Sequence, residues 1–333
     1  MPLALRFGLV LLLAAPGALS SASGGEQWPV LIQRGNQAYR ANQLAEAEKF
    51  FQAALDVLGT SSEDSQRRAV TLDCLGAMNY YQRRYTAAES RYRQALAIWE
   101  TVPDAGAGLA TVLYNLATLY RLEHLYSKSG LLFQRALLIR EKVFGESSTE
   151  VADTLNELGV VFEAEGRSGE AEVLYLKSLA ILEQWFGPGG GELAKPLNNI
   201  GRLYIILGRS RDAEDLLRRA LRQSEAQSGA NAVQAGPALN NLGCIYFAQR
   251  RAPEAEDAFR RALSIYEAAF GPLDPQVAQI LRNYADLLRH TGRKREAAKF
   301  ETRARAIAQI SAPSDPSRFI VDVHALRASA KSR

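Results

Sequence analysis

The 333-residue sequence contains few of the residues that build catalytic and metal sites. It has two cysteines, three histidines and two methionines. His124, His290 and His324 lie far apart, and the chain has no C-x-x-C, H-E-x-x-H, G-x-S-x-G or G-x-x-x-x-G-K-[ST] motif. The glycine-rich run Gly187–Glu192 is not followed by a Lys-Ser/Thr pair. These absences predict no catalytic site, no cofactor and no metal centre.

Charge is scarce at the N-terminus, where Arg6 is the only charged side chain among the first 25 residues. The apolar run Phe7–Ala15 follows, and small residues come after it. This pattern predicts a signal peptide over residues 1–22, cleaved near Ser20 or Ala22, and a periplasmic or secreted protein. An uncleaved anchor is the alternative. No other run reaches 18 apolar residues, so no membrane span is expected after signal removal.

The sequence also lacks any block of one charge sign. Its 40 basic and 36 acidic residues are interleaved and give a net charge of +4. This distribution predicts a solvated surface and argues against a nucleic-acid partner. The Arg-Arg pairs at 218–219, 250–251 and 260–261 are expected to form outward ion pairs.

A period of 41 to 42 residues runs through the chain. Small residues mark the middle of each predicted first helix: Gly35, Gly76, Ala117, Gly159, Gly201, Gly243 and Ala285. Sixteen residues after each lies a large side chain in all repeats but the last: Phe51, Tyr92, Phe133, Tyr175, Leu217 and Phe259, then Glu301. Apolar spacings of three and four predict two helices per repeat. In the sixth repeat these are Val233–Gln249 (helix A) and Pro253–Phe270 (helix B). We expect the small residues to let the helices approach and the large one to fill the gap against the next repeat.

The spacing L/I-G-x-x-Y, then A-x-x-x-F/Y, then x-x-A resembles the tetratricopeptide repeat. Its 42-residue length is similar to the repeats of the kinesin light chain and its bacterial relatives. The resemblance implies an all-α, right-handed α-solenoid of about seven antiparallel helix pairs over residues 27–307, with residues 308–333 as a C-terminal tail. Each helix A would line the concave surface and each helix B the convex one. Because Cys74 and Cys244 lie four repeats apart, we expect two unpaired thiols.

Asparagine is an unfavourable residue inside a helix, yet one or two recur at the inward phase of helix A. The predicted peptide-binding groove consists of Tyr114, Asn115, Asn156, Asn198, Asn199, Arg202, Asn240, Asn241, Phe247, Asn283 and Arg289. An amide both donates and accepts, so it can pair with the backbone of an extended peptide. The arginines, with Arg282 and Lys195, would add affinity for acidic side chains or a free C-terminus. Alternatively, the amides bond to the neighbouring helix A and set the stacking angle.

Together these features predict a non-catalytic scaffold that binds a protein or a linear peptide in the groove. The alternative is a structural accessory subunit of an envelope assembly with no groove in use. An enzyme is disfavoured because no His, Cys or carboxylate cluster is present. In the tail, Arg318–Arg327 is apolar and would dock on the last helices or in the groove, or form a disordered end.

Overall fold

The computed structural model describes residues 27–229 and 232–310. The predicted signal peptide and residues 311–333 of the predicted tail lie outside these ranges. Within them the chain forms α-helices and no strand, which confirms the all-α class. The helices are α1 (Gln27–Arg40), α2 (Leu44–Asp56), α3 (Ser62–Tyr81), α4 (Tyr85–Trp99), α5 (Gly106–Leu122), α6 (Tyr126–Phe144), α7 (Thr149–Ala164), α8 (Ser168–Phe186), α9 (Ala194–Ile206), α10 (Ser210–Ser228), α11 (Ala235–Ala248), α12 (Ala252–Phe270), α13 (Pro275–His290) and α14 (Lys294–Ile310). A short 3₁₀ turn, Gly191–Leu193, precedes α9.

The chain divides into two compact units between Thr154 and Leu155, here called the N-terminal unit and the C-terminal unit. The N-terminal unit contains the pairs α1/α2, α3/α4 and α5/α6, and the C-terminal unit contains α9/α10, α11/α12 and α13/α14. Each pair is one predicted repeat. Helices α11 and α12 agree with the predicted helices of the sixth repeat to within two residues.

A glycine of helix A packs directly under a large side chain of helix B in the same repeat. A Cβ atom added to Gly243 would lie 2.6 Å from Cε1 of Phe259, and one added to Gly76 would lie 2.5 Å from Cε1 of Tyr92. The large residue was expected to fill the gap toward the next repeat, but it contacts its own glycine first. The Phe259 ring also stacks on Tyr284 of the following repeat, with centroids 6.0 Å apart. The small residue is therefore required because the large side chain of the same repeat packs directly against it.

The turn between helices A and B places one residue in the left-handed region. Gly166 and Gly208 have φ of 80° and 76°. His124 and Arg250 occupy the same turn position in their repeats, with φ of 59° and 62°. Glycine adopts this conformation without a steric cost, whereas the other residues hold it under some strain. The turn geometry therefore persists where glycine is replaced.

Ion pairs with the period of the repeat connect successive helix pairs of the C-terminal unit. One set joins Arg219 to Glu183, Arg261 to Glu225 and Arg303 to Glu267, and a second joins Arg209 to Glu172, Arg251 to Glu214 and Arg293 to Glu256. Ion pairs of Arg218 with Glu214 and Arg260 with Asp257 are also present. Of the six arginines in the Arg-Arg pairs at 218–219, 250–251 and 260–261, five form the predicted ion pairs. Each exposed pair contributes at most about 1 kcal/mol.

Both cysteines are buried and neither forms a disulfide, as the repeat spacing predicts. Burial raises the pKa of the Cys74 thiol above its usual range, and the nearby Asp73 raises it further. Over the described ranges, no helix combines the length and the apolar character needed to cross a membrane.

Candidate functional site

The helix A asparagines of the C-terminal unit bond to one another between consecutive repeats. Each bond runs from the Nδ2 atom of one amide to the Oδ1 atom of an amide 43 residues earlier. The three bonds are Asn199 to Asn156 at 3.0 Å, Asn241 to Asn198 at 3.0 Å and Asn283 to Asn240 at 3.1 Å. All six residues are buried. We call this row of bonds the amide ladder.

The ladder explains why asparagine is doubled. Asn199 donates to the preceding repeat, whereas its neighbour Asn198 accepts from Asn241 of the following repeat. One residue of each pair therefore faces backwards along the array and the other faces forwards. A buried amide left without a partner would cost about 1–3 kcal/mol, so the bonds fix the register of neighbouring A helices. The structure favours the packing alternative for these residues.

The N-terminal unit has a related contact. The amide of Asn115 donates to both carboxylate oxygens of Asp73, at 2.9 and 3.1 Å. Burial raises the pKa of Asp73 to about 7, and the bond from Asn115 lowers it in part. The sequence interpretation missed Asp73, although it lies one period of 42 residues before Asn115 and extending the asparagine phase backwards would have found it.

Tyr114 lies under a buried arginine of the N-terminal unit. The Arg140 guanidinium carbon is 4.4 Å from the centre of the Tyr114 ring, and Phe133 packs against the same ring edge-on. Nη1 of Arg140 donates to the Glu150 carbonyl at 2.9 Å and to Oγ1 of Thr154 at 2.8 Å. Burial lowers the pKa of Arg140. Tyr114 is therefore a packing residue in this structure.

Arg202 forms a bidentate pair with Glu163, with N–O distances of 2.5 and 2.7 Å. The hydroxyl of Tyr175 donates to the same carboxylate at 2.9 Å. The Arg202 and Glu163 side chains are only 9% and 7% exposed. Two parallel charge-assisted bonds in a buried setting leave this guanidinium poorly placed to bind a carboxylate from a partner.

The other predicted cations are paired as well. Arg289 bonds to Asp286 at 2.5 Å and also to Glu301, the acid that replaces the core aromatic residue of the last repeat. Arg282 donates to Gln279, and Lys195 pairs with the buried Glu157 at 2.8 Å. The Arg289 side chain is 44% exposed, which makes it the most accessible of the predicted arginines.

Phe247 and Arg289 are the predicted groove residues that reach solvent. Phe247 is half-buried and meets the exposed His290 edge-to-face, with ring centroids 5.1 Å apart. Ile206, at the end of α9, is also exposed. The other nine predicted residues are buried, because helix A is enclosed on all sides over most of its length: in α9 every residue from Pro196 to Ile205 is buried. Contact of those nine with a ligand stays a prediction.

Within the part of the chain that the structure describes, no three His, Cys, Asp or Glu side chains are grouped as a metal site requires.

The tetratricopeptide repeat sequence model matches residues 30–101, 108–184, 152–226 and 234–310. Among curated proteins, none matches the chain. Among solved structures, the apo form of RapI is 12% identical, with a TM-score of 0.65 over 85% of this chain and 98% of that one. The Rap conjugation gene regulator of plasmid pLS20, in complex with the Phr* peptide, is 12% identical, with a TM-score of 0.62 over 90% and 80%.

Kinesin light chain TPR-like repeats from Podosopora anserina are 19% identical, with a TM-score of 0.46 over 60% of this chain and 96% of that one. The two Rap structures share the helix-pair architecture of this chain. The repeat model covers most of the sequence, and the interpretation of the 42-residue period is confirmed. The chain belongs to the tetratricopeptide repeat family.

Proposed function

We propose that the protein is a non-catalytic scaffold that binds a linear segment of a partner protein on the A helices of the C-terminal unit. The observation that carries the proposal is the solvent-reaching patch that Phe247 of α11 and His290 of α13 form where their rings meet edge-to-face. Ile206, two periods before His290 in the sequence, is also exposed at the end of α9. An apolar side chain of a peptide would bury against it, at about 25 cal/mol per Å² of apolar surface removed from water.

The amide ladder supports this role indirectly. By fixing the register of consecutive A helices, it presents the patch on a surface that needs little ordering when a ligand binds. Arg289 lies next to the patch and is the cation that an acidic side chain of a partner would reach, in competition with Asp286 and Glu301. The similarity to a Rap protein whose structure was solved in complex with a peptide agrees with a peptide ligand for this fold.

Peptide selection on the full chain tests the proposal. Linear peptides are selected from a random display library, and their affinities are measured by fluorescence polarisation for the unaltered chain and two variants. We expect Phe247→Ser to weaken binding about tenfold, the cost of losing one apolar contact of 1–2 kcal/mol. Val173→Ser is the matched control, because Val173 is an apolar side chain that is 52% exposed on α8, which is a helix B.

Failure to select any peptide above background would refute the proposal. Equal loss in both variants, or no loss in either, would move the site away from α11. Circular dichroism melting of each variant separates a binding effect from unfolding.

A structural accessory subunit of an envelope assembly is the second candidate. The period-matched ion pairs of the C-terminal unit favour it, because they stiffen the array without creating a ligand site. Purification from native cells would then yield a stoichiometric complex that survives Phe247→Ser.

We also propose that the chain is exported. The support is the sequence pattern of Arg6 followed by the apolar run Phe7–Ala15 and small residues. N-terminal sequencing of the protein from its native cells is expected to start after Ser20 or Ala22. A protein that begins at Met1 would contradict cleavage.

A further inference from the structure

The N-terminal unit contains a cavity of about 240 Å³ between α3, α5 and the link that joins α4 to α5. Helix α3 contributes residues spaced one and two turns apart, so one face of the helix forms a wall. The lining includes Val70, Asp73, Trp99, Val102, Asp104 and Thr111. Three of these six side chains are apolar, and the two charged ones are both acidic. The volume is below that of a typical drug-sized pocket and suits a single side chain.

Asp73 is the buried charged group in the lining of the cavity. It is only 8% exposed, and its carboxylate accepts from the single amide of Asn115. A carboxylate has about four lone-pair positions, so acceptor capacity is left over. Among the described residues, no cation lies within ion-pair distance of it. A buried carboxylate is costly unless it is paired, protonated or reached by a ligand.

Trp99 supplies the aromatic wall and depends on a glycine for its position. A Cβ atom added to Gly108 would lie 2.4 Å from Cζ2 of Trp99, so only glycine allows the indole to lie against α5. An indole ring attracts cations and also packs against methylene groups. Asp104 lies in the link at the exposed side of the cavity, with φ of 54°. The two acidic side chains and the aromatic ring therefore line the same space.

We propose that this cavity binds a primary ammonium group on a short alkyl chain, such as the side chain of lysine. The ammonium donates to the free lone pairs of Asp73, and the methylenes pack against Trp99, Val70 and Val102. The inference is independent of peptide binding by the C-terminal unit, because it uses no residue of that unit. The proposed ligand is a cation, whereas the groove arginines were predicted to favour acidic side chains.

The test uses 19F NMR of the full chain labelled with 5-fluorotryptophan. The chain has three tryptophans, and the Trp99→Phe variant assigns the resonance of Trp99. The probes are n-butylamine, Nα-acetyl-lysine methylamide and the uncharged Nα-acetyl-norleucine methylamide. We expect an amine to shift the Trp99 resonance with an affinity at least about tenfold above that of the norleucine probe, because only the ammonium group can donate a charge-assisted hydrogen bond to Asp73.

Binding of the lysine probe alone would indicate a side chain of a partner, and binding of both amines would indicate free alkylammonium; both results support the proposal. Equal affinity for the norleucine probe, or no shift of Trp99 with any probe, would overturn it. The probes are compared on the labelled wild-type sequence, and a variant is needed only to assign the Trp99 resonance.

Two variants sharpen the test. Asp73→Asn is expected to reduce the affinity for the bound amine about tenfold and to leave the norleucine probe unchanged. Asp56→Asn is the matched control, because it removes one acid from the exposed surface of α2. An equal effect of both substitutions would show only a general electrostatic attraction and would contradict a built site.

Discussion

The amide ladder leads to a quantitative prediction at Asn198 and Asn241. Nδ2 of Asn241 donates to Oδ1 of Asn198 over 3.0 Å, and both side chains are almost fully buried. Replacing either residue by leucine, which has a similar shape, removes this bond and leaves a buried polar atom without that partner. The expected cost is about 1–3 kcal/mol for each single variant.

The double variant distinguishes a bond from mere crowding. Replacing both partners by apolar groups of similar shape is nearly neutral when they bond to each other. We therefore expect Asn198→Leu/Asn241→Leu to be less destabilising than the sum of the single variants, with a coupling energy of about 1 kcal/mol or more. Asn79→Leu is the control, because the Asn79 amide donates to the Leu75 carbonyl of its own helix.

The assay is urea unfolding followed by circular dichroism at a helical wavelength, with thermal melting as a second measure. A change of 1 kcal/mol corresponds to a shift of about 2–4 °C for a unit of this size. Additive single effects, or a double variant that is worse than both single variants combined, would refute the ladder as a packing device. Coupling between Asn79 and Asn198 would show that the effect is not specific to the bond.

Three further predictions follow from buried groups. Because the pKa of Asp73 is raised to about 7, the folded chain keeps a proton that the unfolded chain loses from about pH 4. The free energy of unfolding should therefore fall by roughly 2–3 kcal/mol between pH 5 and pH 8 relative to Asp73→Asn, as measured by urea titrations at each pH; a parallel pH dependence would contradict the burial argument. Gly243→Ala should destabilise by about 1–3 kcal/mol because its Cβ meets Phe259, and Gly243→Ala/Phe259→Leu should recover part of the loss in thermal melts. Arg202→Ala should cost about 3–5 kcal/mol by leaving Glu163 buried without its guanidinium, and adding Glu163→Gln should restore stability; an unchanged melting temperature would show that the pair is solvated.

The helix-pair repeat was predictable because small and large residues alternate at a fixed spacing along the sequence. Gly243 and Phe259 lie sixteen residues apart, and the same small-to-large spacing recurs along the chain. The sequence interpretation placed the large side chain against the next repeat, whereas in the structure the ring first covers the glycine of its own repeat. The start of α12 was predictable because Pro253 suits the first turn of a helix.

The helical phase of the asparagines could not decide whether they pack against a neighbouring helix or contact a ligand. Helical phase placed Asn198 and Asn199 on the inward side, but packing and ligand contact use the same side. The distance between neighbouring A helices decides between the two uses, and it depends on how the whole array stacks. The 3.0 Å bonds show that the helices are close enough for amides to meet.

The cavity beside Asp73 could not be predicted from the sequence. It depends on the position of the Trp99 indole and on the path of the link around Asp104, neither of which follows from the period. The 42-residue period does place Asp73 opposite Asn115 in the preceding repeat, so the contact between these two residues could have been predicted from the sequence.

Hydrogen–deuterium exchange of the full chain, with and without a selected peptide, tests the proposed function most directly. If the peptide binds the A helices of the C-terminal unit, backbone protection will increase in fragments that contain the ends of α11 and α13, around Phe247 and His290. The helix B segments, including Val173 on α8, will exchange as before. Protection confined to helix B segments, or none at all at saturating peptide, would contradict the account.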